Sequence, residues 1–142
     1  MIPDLFVVDS SVGIKWFIPE VHSSDALRLR APGPSLHTPA FFDVEIGNIL
    51  WKKVQRSELK TAEAADIISK LPALPISRHL VMPLIPRAFD LACETNRTVY
   101  DSLYLALAIQ LDGRMATADQ RLANALAATP YAVHVCWEED LP

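Results

Sequence analysis

Four carboxylates stand where the surrounding sequence is apolar. The run "LFVV" ends at Asp9, and the run "RMAT" is followed two residues later by Asp119. Glu45 and Asp101 interrupt the stretches "FFDVEIGNIL" and "VYDSLYLALA". Because an unpaired buried carboxylate is costly, each of these acids needs either a partner or a chemical role.

Each acid, taken alone, has a simpler explanation. Asp101 and Asp119 could be helix-terminal acids, which the helix dipole favours, and Asp9 could be a cap at a surface loop. Glu45 could lie on a solvated helix face. Asp43, two residues earlier, points to a different face and is interpreted as a surface residue.

The combination favours a metal site. Four carboxylates gathered at one place repel one another unless they are protonated or neutralised. No run of Lys or Arg beside these segments is dense enough to pair all four. A hard divalent cation, Mg²⁺ or Mn²⁺, prefers such oxygen ligands and retains water for chemistry.

The elements that must position these acids alternate between strands and helices. Strands are predicted at 5–8, 73–77, 114–117 and 131–137. Helices are predicted at 23–30, from Pro39 with Thr38 as its N-cap, and at 61–71, 85–95, 98–113 and 118–127. In the helix 98–113, Thr98 and Asp101 have a spacing like that of a capping box, and Gly113 is expected to end the helix. The acidic end "EED" is expected to be an exposed tail. The alternation of strands and helices predicts a single α/β domain, 1–142, with a mainly parallel sheet. Ligands of such sheets bind beyond the carboxyl ends of the strands, so Asp9 and Asp119 are expected at one edge.

Composition limits the function classes. The net charge of −4 argues against a protein that coats nucleic acid by bulk electrostatics, although bound cations would change that balance. Cys93 and Cys136 match no metal or redox spacing and are expected to be buried thiols. No apolar run reaches 18 residues and no signal peptide is evident, so the expected location is cytoplasmic, without membrane contact.

Four segments together resemble a known family. They are "VVDSSVGIKWFIPE", "HTPAFFDVEIGNILWK", "TVYDSLYLALA" and "MATADQRL". In this order and at these separations, they resemble the PIN-domain ribonucleases and, among these, the VapC toxins of bacterial toxin–antitoxin pairs. The resemblance implies a PIN-like three-layer α/β/α sandwich.

The resemblance also implies roles for particular residues. Asp9, Glu45, Asp101 and Asp119 would be the catalytic acids that hold Mg²⁺, or Mn²⁺. The supporting positions are Ser10, Asn48 and Thr117. Some members of the family place another acid shortly after the fourth, but here Gln120, Arg121 and Leu122 follow, so one or two cations remain alternatives.

The implied activity is metal-dependent hydrolysis of RNA phosphodiester bonds, with inhibition by a cognate antitoxin and assembly as a homodimer. Candidate phosphate contacts are Lys15, Lys52, Lys53, Arg56 and Arg97. Trp16, Trp51 and Tyr100 could stack on bases or belong to the core or an interface. Trp16, Phe17, Trp51 and Leu59 are candidates for the partner surface.

Two other classes of protein remain as alternatives. A catalytically silent α/β interaction module would tolerate the loss of Asp9. A phosphohydrolase of the haloacid type needs a second acid two residues after the first, where this chain has Ser11.

Overall fold

The first strand lies at the centre of the sheet and is covered on both sides. The computed structural model describes residues 4–19 and 22–142. Phe6, Val7 and Val8 of strand β1 are each 0% exposed. Because successive side chains of a strand point to opposite faces, both faces of the sheet are packed against other elements. The prediction of an α/β sandwich is confirmed.

Five strands and seven α-helices make up the described residues. The strands are β1 (Leu5–Val8), β2 (Ser35–Pro39), β3 (Ser77–His79), β4 (Arg114–Thr117) and β5 (Val135–Trp137). The helices are α1 (Ser10–Gly13), α2 (Ser23–Leu27), α3 (Phe41–Gln55), α4 (Thr61–Lys70), α5 (Ile85–Thr95), α6 (Val99–Gln110) and α7 (Gln120–Ala127). Short 3-10 turns link several of them.

The sheet is parallel throughout, with the order β3-β2-β1-β4-β5. Val7 of β1 is in register with His37 of β2 on one side and with Met115 of β4 on the other. The chain therefore adds β2 and β3 on one side of β1 and then returns to add β4 and β5 on the other. The strand order reverses between β1 and β4, and ligands of open α/β sheets bind beyond the strand ends at such a point.

Helix α6 packs across β1, β2 and β4, and α5 packs on α6. Gly113 makes the tight return from α6 to β4 possible. A Cβ atom there would lie 2.8 Å from the carbonyl oxygen of Leu5, closer than packing allows. Asp112, and not Gly113, adopts the left-handed conformation at the end of the helix, with φ of 52°. Gly113, which was predicted to end the helix, is instead needed for close packing against β1.

The prediction of a helix from Pro39 with Thr38 as its cap is wrong. Both residues belong to β2, and α3 begins at Phe41. Thr38 is fully buried, and its hydroxyl donates to the carbonyl oxygen of Val8 at 2.9 Å. Thr38 thus ties β2 to the central strand, while Ala40 donates its N–H to His79 before the helix starts.

Two other strands begin later than predicted. The segment predicted as a strand at 73–77 mostly precedes β3, because Leu74 and Ile76 enter the core without pairing in the sheet. The predicted final strand starts as a 3-10 turn, Pro130–His134, and pairs only from Val135.

Two burial predictions also fail. Cys136 is buried as expected, but Cys93 is exposed on α5. The acidic end "EED" is not a free tail, since Glu138 is only 1% exposed and lies 2.7 Å from Lys15 Nζ. The carboxylate is buried because the end of the chain packs back against the segment after α1.

Among the described residues, no helix has the length and apolar character needed to cross a bilayer. The predicted domain, 1–142, also includes residues 1–3, 20 and 21, which lie outside the described part of the chain.

Candidate active site

The point where the strand order reverses carries two of the predicted acids. Asp9 follows β1 directly, and its N–H donates to the carbonyl oxygen of Ala116 in β4 at 3.1 Å. Asp119 lies two residues beyond the end of β4. The neighbouring central strands therefore deliver Asp9 and Asp119 to the same edge of the sheet.

Asp9 is a buried carboxylate surrounded by hydroxyl donors. Its side chain is 5% exposed. Oδ2 accepts from Thr117 Oγ1 at 2.9 Å and from Ser11 Oγ at 3.1 Å, and Oδ1 lies 3.3 Å from Ser10 Oγ. Burial and then the charge of Glu45 raise the pKa of Asp9 to about 6, although the hydroxyl donors oppose the rise.

Glu45 reaches the same place from the middle of α3. Its Oε1 accepts from Ser10 Oγ at 3.1 Å and from the hydroxyl of Tyr104. Burial raises the pKa of Glu45, and the bonds from Tyr104 and Ser10 act against this rise. Ser10 thus lies between two carboxylates, and its single hydroxyl hydrogen serves one of them at a time.

Tyr104 was not predicted from the sequence. It is 1% exposed, and burial followed by the charges of Asp9 and Glu45 raises its pKa well above the ordinary value. The phenol therefore stays protonated and donates to Glu45. The sequence contained one signal for the role of Tyr104, which is that this residue lies three positions after Asp101, on the same side of α6.

Asp101 lies half-buried in the first turn of α6. Thr98 is the N-cap of that helix, and its Oγ1 accepts from the N–H of Asp101 at 3.1 Å. Burial, followed by the charges of Asp9 and Asp119, raises the pKa of Asp101 to about 6. Arg97 acts in the opposite direction. The charges of the four acids therefore reach one another at this edge.

The capping explanation also holds for two of the acids. Asp119 is exposed at the N-cap of α7, where its Oδ1 accepts from Leu122 N at 3.1 Å. Asp9 caps the short α1 through a longer contact of 3.5 Å from Ser11 N. These caps fix both carboxylates at the sheet edge, so the structural and chemical roles coexist.

Thr117 and Ser11 connect the two strand ends. Thr117 donates to Asp9 and accepts from the N–H of Asp119 at 3.0 Å. Ser11, which was not predicted, donates to Asp9 and accepts from Ala118 N at 3.0 Å. Of the other supporting positions, Ser10 contacts two acids, whereas Asn48 is exposed one turn beyond Glu45 on α3.

Most of the predicted phosphate-binding cations line one cavity. The cavity measures about 320 Å³ and is lined by Ser11, Ile14, Lys15, Ile49, Lys52, Lys53, Arg56 and Ala118. Because Ser11 contacts Asp9 and Ala118 precedes Asp119, the cavity opens beside the acids. Lys15 also pairs with the buried Glu138, at 2.7 Å.

The fifth predicted cation, Arg97, does not line this cavity. It is half-buried close enough to Asp101 to lower that carboxyl group's pKa. Its Nε is buried without a hydrogen-bond partner. Arg97 therefore belongs to the side of the site formed by α6.

The donor set fits a hard divalent cation. Among the ion pairs formed within residues 4–19 and 22–142, none uses Asp9, Glu45, Asp101 or Asp119. Asp43, by contrast, is paired with Arg78 at 2.6 Å. In the described part of the chain, no three His, Cys, Asp or Glu side chains form a ready ligand cluster for a cation.

Comparisons with known proteins agree with this geometry. The family model of the PIN domain matches residues 6–126. "Ribonuclease VapC3" from Pyrobaculum aerophilum is 34% identical over 126 residues, covering 86% of this chain and 95% of the relative. "Ribonuclease VapC12" from Mycobacterium tuberculosis is 30% identical over 120 residues, covering 84% and 91%.

Solved structures show the same fold. A crystal structure of a Pyrobaculum aerophilum protein aligns with a TM-score of 0.69 and 21% identity, covering 96% of this chain and 85% of that one. VapBC2 from Rickettsia felis, bound to a DNA fragment from its promoter, aligns with a TM-score of 0.65 and 11% identity, covering 94% and 98%. The predicted PIN-like fold is confirmed, and the chain belongs to the PIN domain family.

Proposed function

We propose that the protein is an endoribonuclease that depends on Mg²⁺ or Mn²⁺ and serves as the toxin of a toxin–antitoxin pair. The observation that carries the proposal is the buried Asp9 at the β1–β4 edge, with Glu45, Asp101 and Asp119 within electrostatic reach. A cluster of acids that raises the pKa of its own members favours a cation that neutralises it. The similarity to proteins named as ribonucleases supports RNA as the substrate.

Each acid has a distinct part in this proposal. Asp9, Asp101 and Asp119 would hold the cation, which when bound polarises the phosphodiester and lowers the pKa of a coordinated water. Glu45 would complete the ligand set or accept a proton from the attacking water. Tyr104 and Ser10 fix the orientation of the Glu45 carboxylate by donating to it. Thr117 and Ser11 do the same for Asp9.

The basic cavity offers a binding site for phosphates of the RNA other than the one that is cleaved. Lys52 and Arg56 are exposed on its rim, and Lys53 and Lys15 line it more deeply. Cations contact phosphates in a sequence-independent way and position the strand. A phosphate beside the scissile one would therefore lie in this cavity, while the acids face the reacting group.

A protein partner is part of the proposal. One aligned structure is a toxin–antitoxin complex from Klebsiella pneumoniae, with a TM-score of 0.59 and 18% identity, covering 95% of this chain and 97% of that one. Val44 and Trp51 of α3 are 64% and 58% exposed, and Phe89 of α5 is 57% exposed. Exposed apolar side chains such as these are suited to covering by an antitoxin or by a second copy in a homodimer.

The exposed apolar side chains that we propose for the partner differ from those predicted from the sequence. Trp51 is exposed as expected. Trp16, Phe17 and Leu59 are partly buried and pack against the core. The apolar surface on α3 therefore extends through Val44 and not through these three residues.

The test is cleavage of RNA by the purified protein in EDTA, and then with Mg²⁺ or Mn²⁺ added. We expect cleavage only with the cation, and its loss in Asp9→Ala and Asp101→Asn. Asp66→Asn is the matched control, because this acid is 62% exposed on α4, and it should cleave like the wild type. Cleavage in EDTA, or full activity in either active-site variant, would contradict the proposal and favour the silent interaction module.

A further inference from the structure

Two aromatic rings stack beside the candidate active site. The ring centroids of Phe41 and Tyr100 are 5.1 Å apart, and the ring planes are 12° from parallel. Phe41 is half-buried at the start of α3, whereas Tyr100 is 58% exposed in the first turn of α6. Because Phe41 covers one face of the Tyr100 ring, the exposed surface of Tyr100 includes the opposite face.

The chain places this aromatic pair next to two of the acids. Phe41 is four residues before Glu45, so the two side chains share a face of α3. Tyr100 directly precedes Asp101 in α6. The contact between the rings therefore joins the start of α3 to the start of α6, and the basic cavity lies on the side of Ser11 and Ala118.

The other two aromatic candidates differ in their surroundings. Trp16 donates its ring N–H to the carbonyl oxygen of Ala26 at 2.9 Å, and the guanidinium of Arg30 lies 5.3 Å from its ring centroid. Trp51 has the same exposure as Tyr100, 58%, but it is ten residues after Phe41, about 15 Å further along α3. Tyr100 is thus the one of the three that combines an open ring face with a position next to an acid.

We propose that the outer face of Tyr100, supported by Phe41, is a stacking platform for one unpaired nucleobase next to the cleaved phosphodiester. This inference rests on the proposed ribonuclease function and assigns one base of its substrate a binding position on the protein. A base within a duplex is already stacked on both faces, so it cannot lie on the tyrosine. Stacking on an aromatic ring tolerates any base, so the platform adds affinity without selecting a sequence.

The first experiment measures binding without cleavage. A fluorescein-labelled single-stranded RNA of about 12 nucleotides is titrated in EDTA and followed by anisotropy. We expect Tyr100→Ala to weaken binding roughly 5- to 150-fold, the range for loss of one stacked base. Tyr100→Phe keeps the ring and should bind within about twofold of the wild type. Trp51→Ala, the control with equal exposure, should bind like the wild type.

The second experiment changes the RNA and tests whether the ring contacts a base. All nucleotides of the same RNA are replaced by abasic ones, because a platform that accepts any base lets the strand shift its register. With the wild type, the loss of the bases should weaken binding by at least the factor that Tyr100→Ala causes. On the abasic RNA, Tyr100→Ala should have no further effect, because the ring and the base form one interaction. The duplex of the same sequence should bind more weakly than the single strand.

Two outcomes would overturn the platform. They are unchanged RNA binding in Tyr100→Ala and an abasic RNA that binds as tightly as the natural one. Unchanged binding together with a changed oligomeric state would place the ring in a protein interface. If cleavage requires the metal ion but Tyr100→Ala changes neither binding nor cleavage of RNA, the platform is refuted and the nuclease proposal stands. Tyr100-dependent binding without cleavage in Mg²⁺ or Mn²⁺ would overturn the nuclease alone.

Discussion

Replacing Asp9 with asparagine should stabilise the metal-free protein at neutral pH. Asparagine keeps the shape of the side chain and removes its charge. Its amide oxygen can accept from Thr117 and Ser11, as Oδ2 of the carboxylate does, and its NH₂ group can donate to Ser10. The side-chain hydrogen bonds around the site therefore survive the substitution, while the buried charge and the 3.5 Å cap contact from Ser11 N are lost.

The magnitude follows from the pKa of Asp9. Its folded-state pKa of about 6 lies above the ordinary 3.8, so the protonated carboxyl group stabilises the fold. This stabilisation is complete below about pH 3.8 and is lost as the pH rises through about 6. At about 1.4 kcal/mol per pKa unit, the loss is about 3 kcal/mol. Asp9→Asn does not titrate, so it should be more stable than the wild type at pH 7.5 by about 1–3 kcal/mol, the lower value allowing for a weaker helix cap.

Urea unfolding in EDTA, followed by tryptophan fluorescence, measures this difference. The free energies of unfolding of variant and wild type should nearly coincide at pH 4 and separate between pH 4 and 6.5. The exposed Asp66→Asn is the control and should change stability by less than about 0.5 kcal/mol at either pH. Adding Mg²⁺ at about 100 times its dissociation constant should stabilise the wild type by about 2.7 kcal/mol and the variant less.

Two results would refute this reasoning. The first is an Asp9→Asn variant that is less stable than the wild type in EDTA at pH 7.5. The second is a difference of the same size at pH 4 and at pH 7.5. Either would mean that the ionised Asp9 is not a cost to the metal-free fold.

Three further predictions concern the supporting residues. Tyr104→Phe removes the hydroxyl that donates to Glu45, the proposed catalytic carboxylate, so kcat should fall about 10- to 100-fold with little change in KM. A change in KM with kcat unaltered would contradict this role. Gly113→Ala should destabilise the fold by about 2 kcal/mol in urea unfolding because its Cβ would meet a strand carbonyl oxygen. Gly47→Ala, which meets nothing within 4 Å, should stabilise it by up to about 1 kcal/mol, and equal effects would refute the packing argument. Lys52→Ala should reduce the slope of log affinity against log salt for RNA by about 1, whereas Lys70→Ala on α4, which does not line the basic cavity, should leave it unchanged. An equal loss in both would place the RNA elsewhere.

The elements with strong local patterns were predictable from the sequence. The continuous apolar run of β1 identified a central strand, and the acid that follows it identified the sheet edge. The predicted helix at 85–95 is α5, with the same bounds. In α6, the Thr98 cap was visible because its partner, the N–H of Asp101, lies three residues away. Local spacing decides such features, so the sequence is sufficient.

Features that depend on distant pairing were not predictable. β2 contains few strongly apolar residues, and the Thr38–Pro39 pair within it is a pattern typical of the start of a helix. Its assignment as a strand comes from pairing with β1 and β3 on either side. Ser11 bonds to Ala118, 107 residues later, and Tyr104 bonds to Glu45 across two helices. Only the assembled sheet and its helices bring such donors to the acids.

The most direct test of the central claim is a crystal structure of the protein soaked in Mn²⁺, with anomalous differences measured at a wavelength where manganese scatters strongly. The account predicts an anomalous peak bounded by Asp9, Asp101 and Asp119, with Glu45 bound to the ion or to one of its waters. The same measurement on Asp9→Asn should show a weaker peak or none. A peak at another place, or a fully occupied peak that survives in Asp9→Asn, would contradict the proposal that these four acids form the cation site.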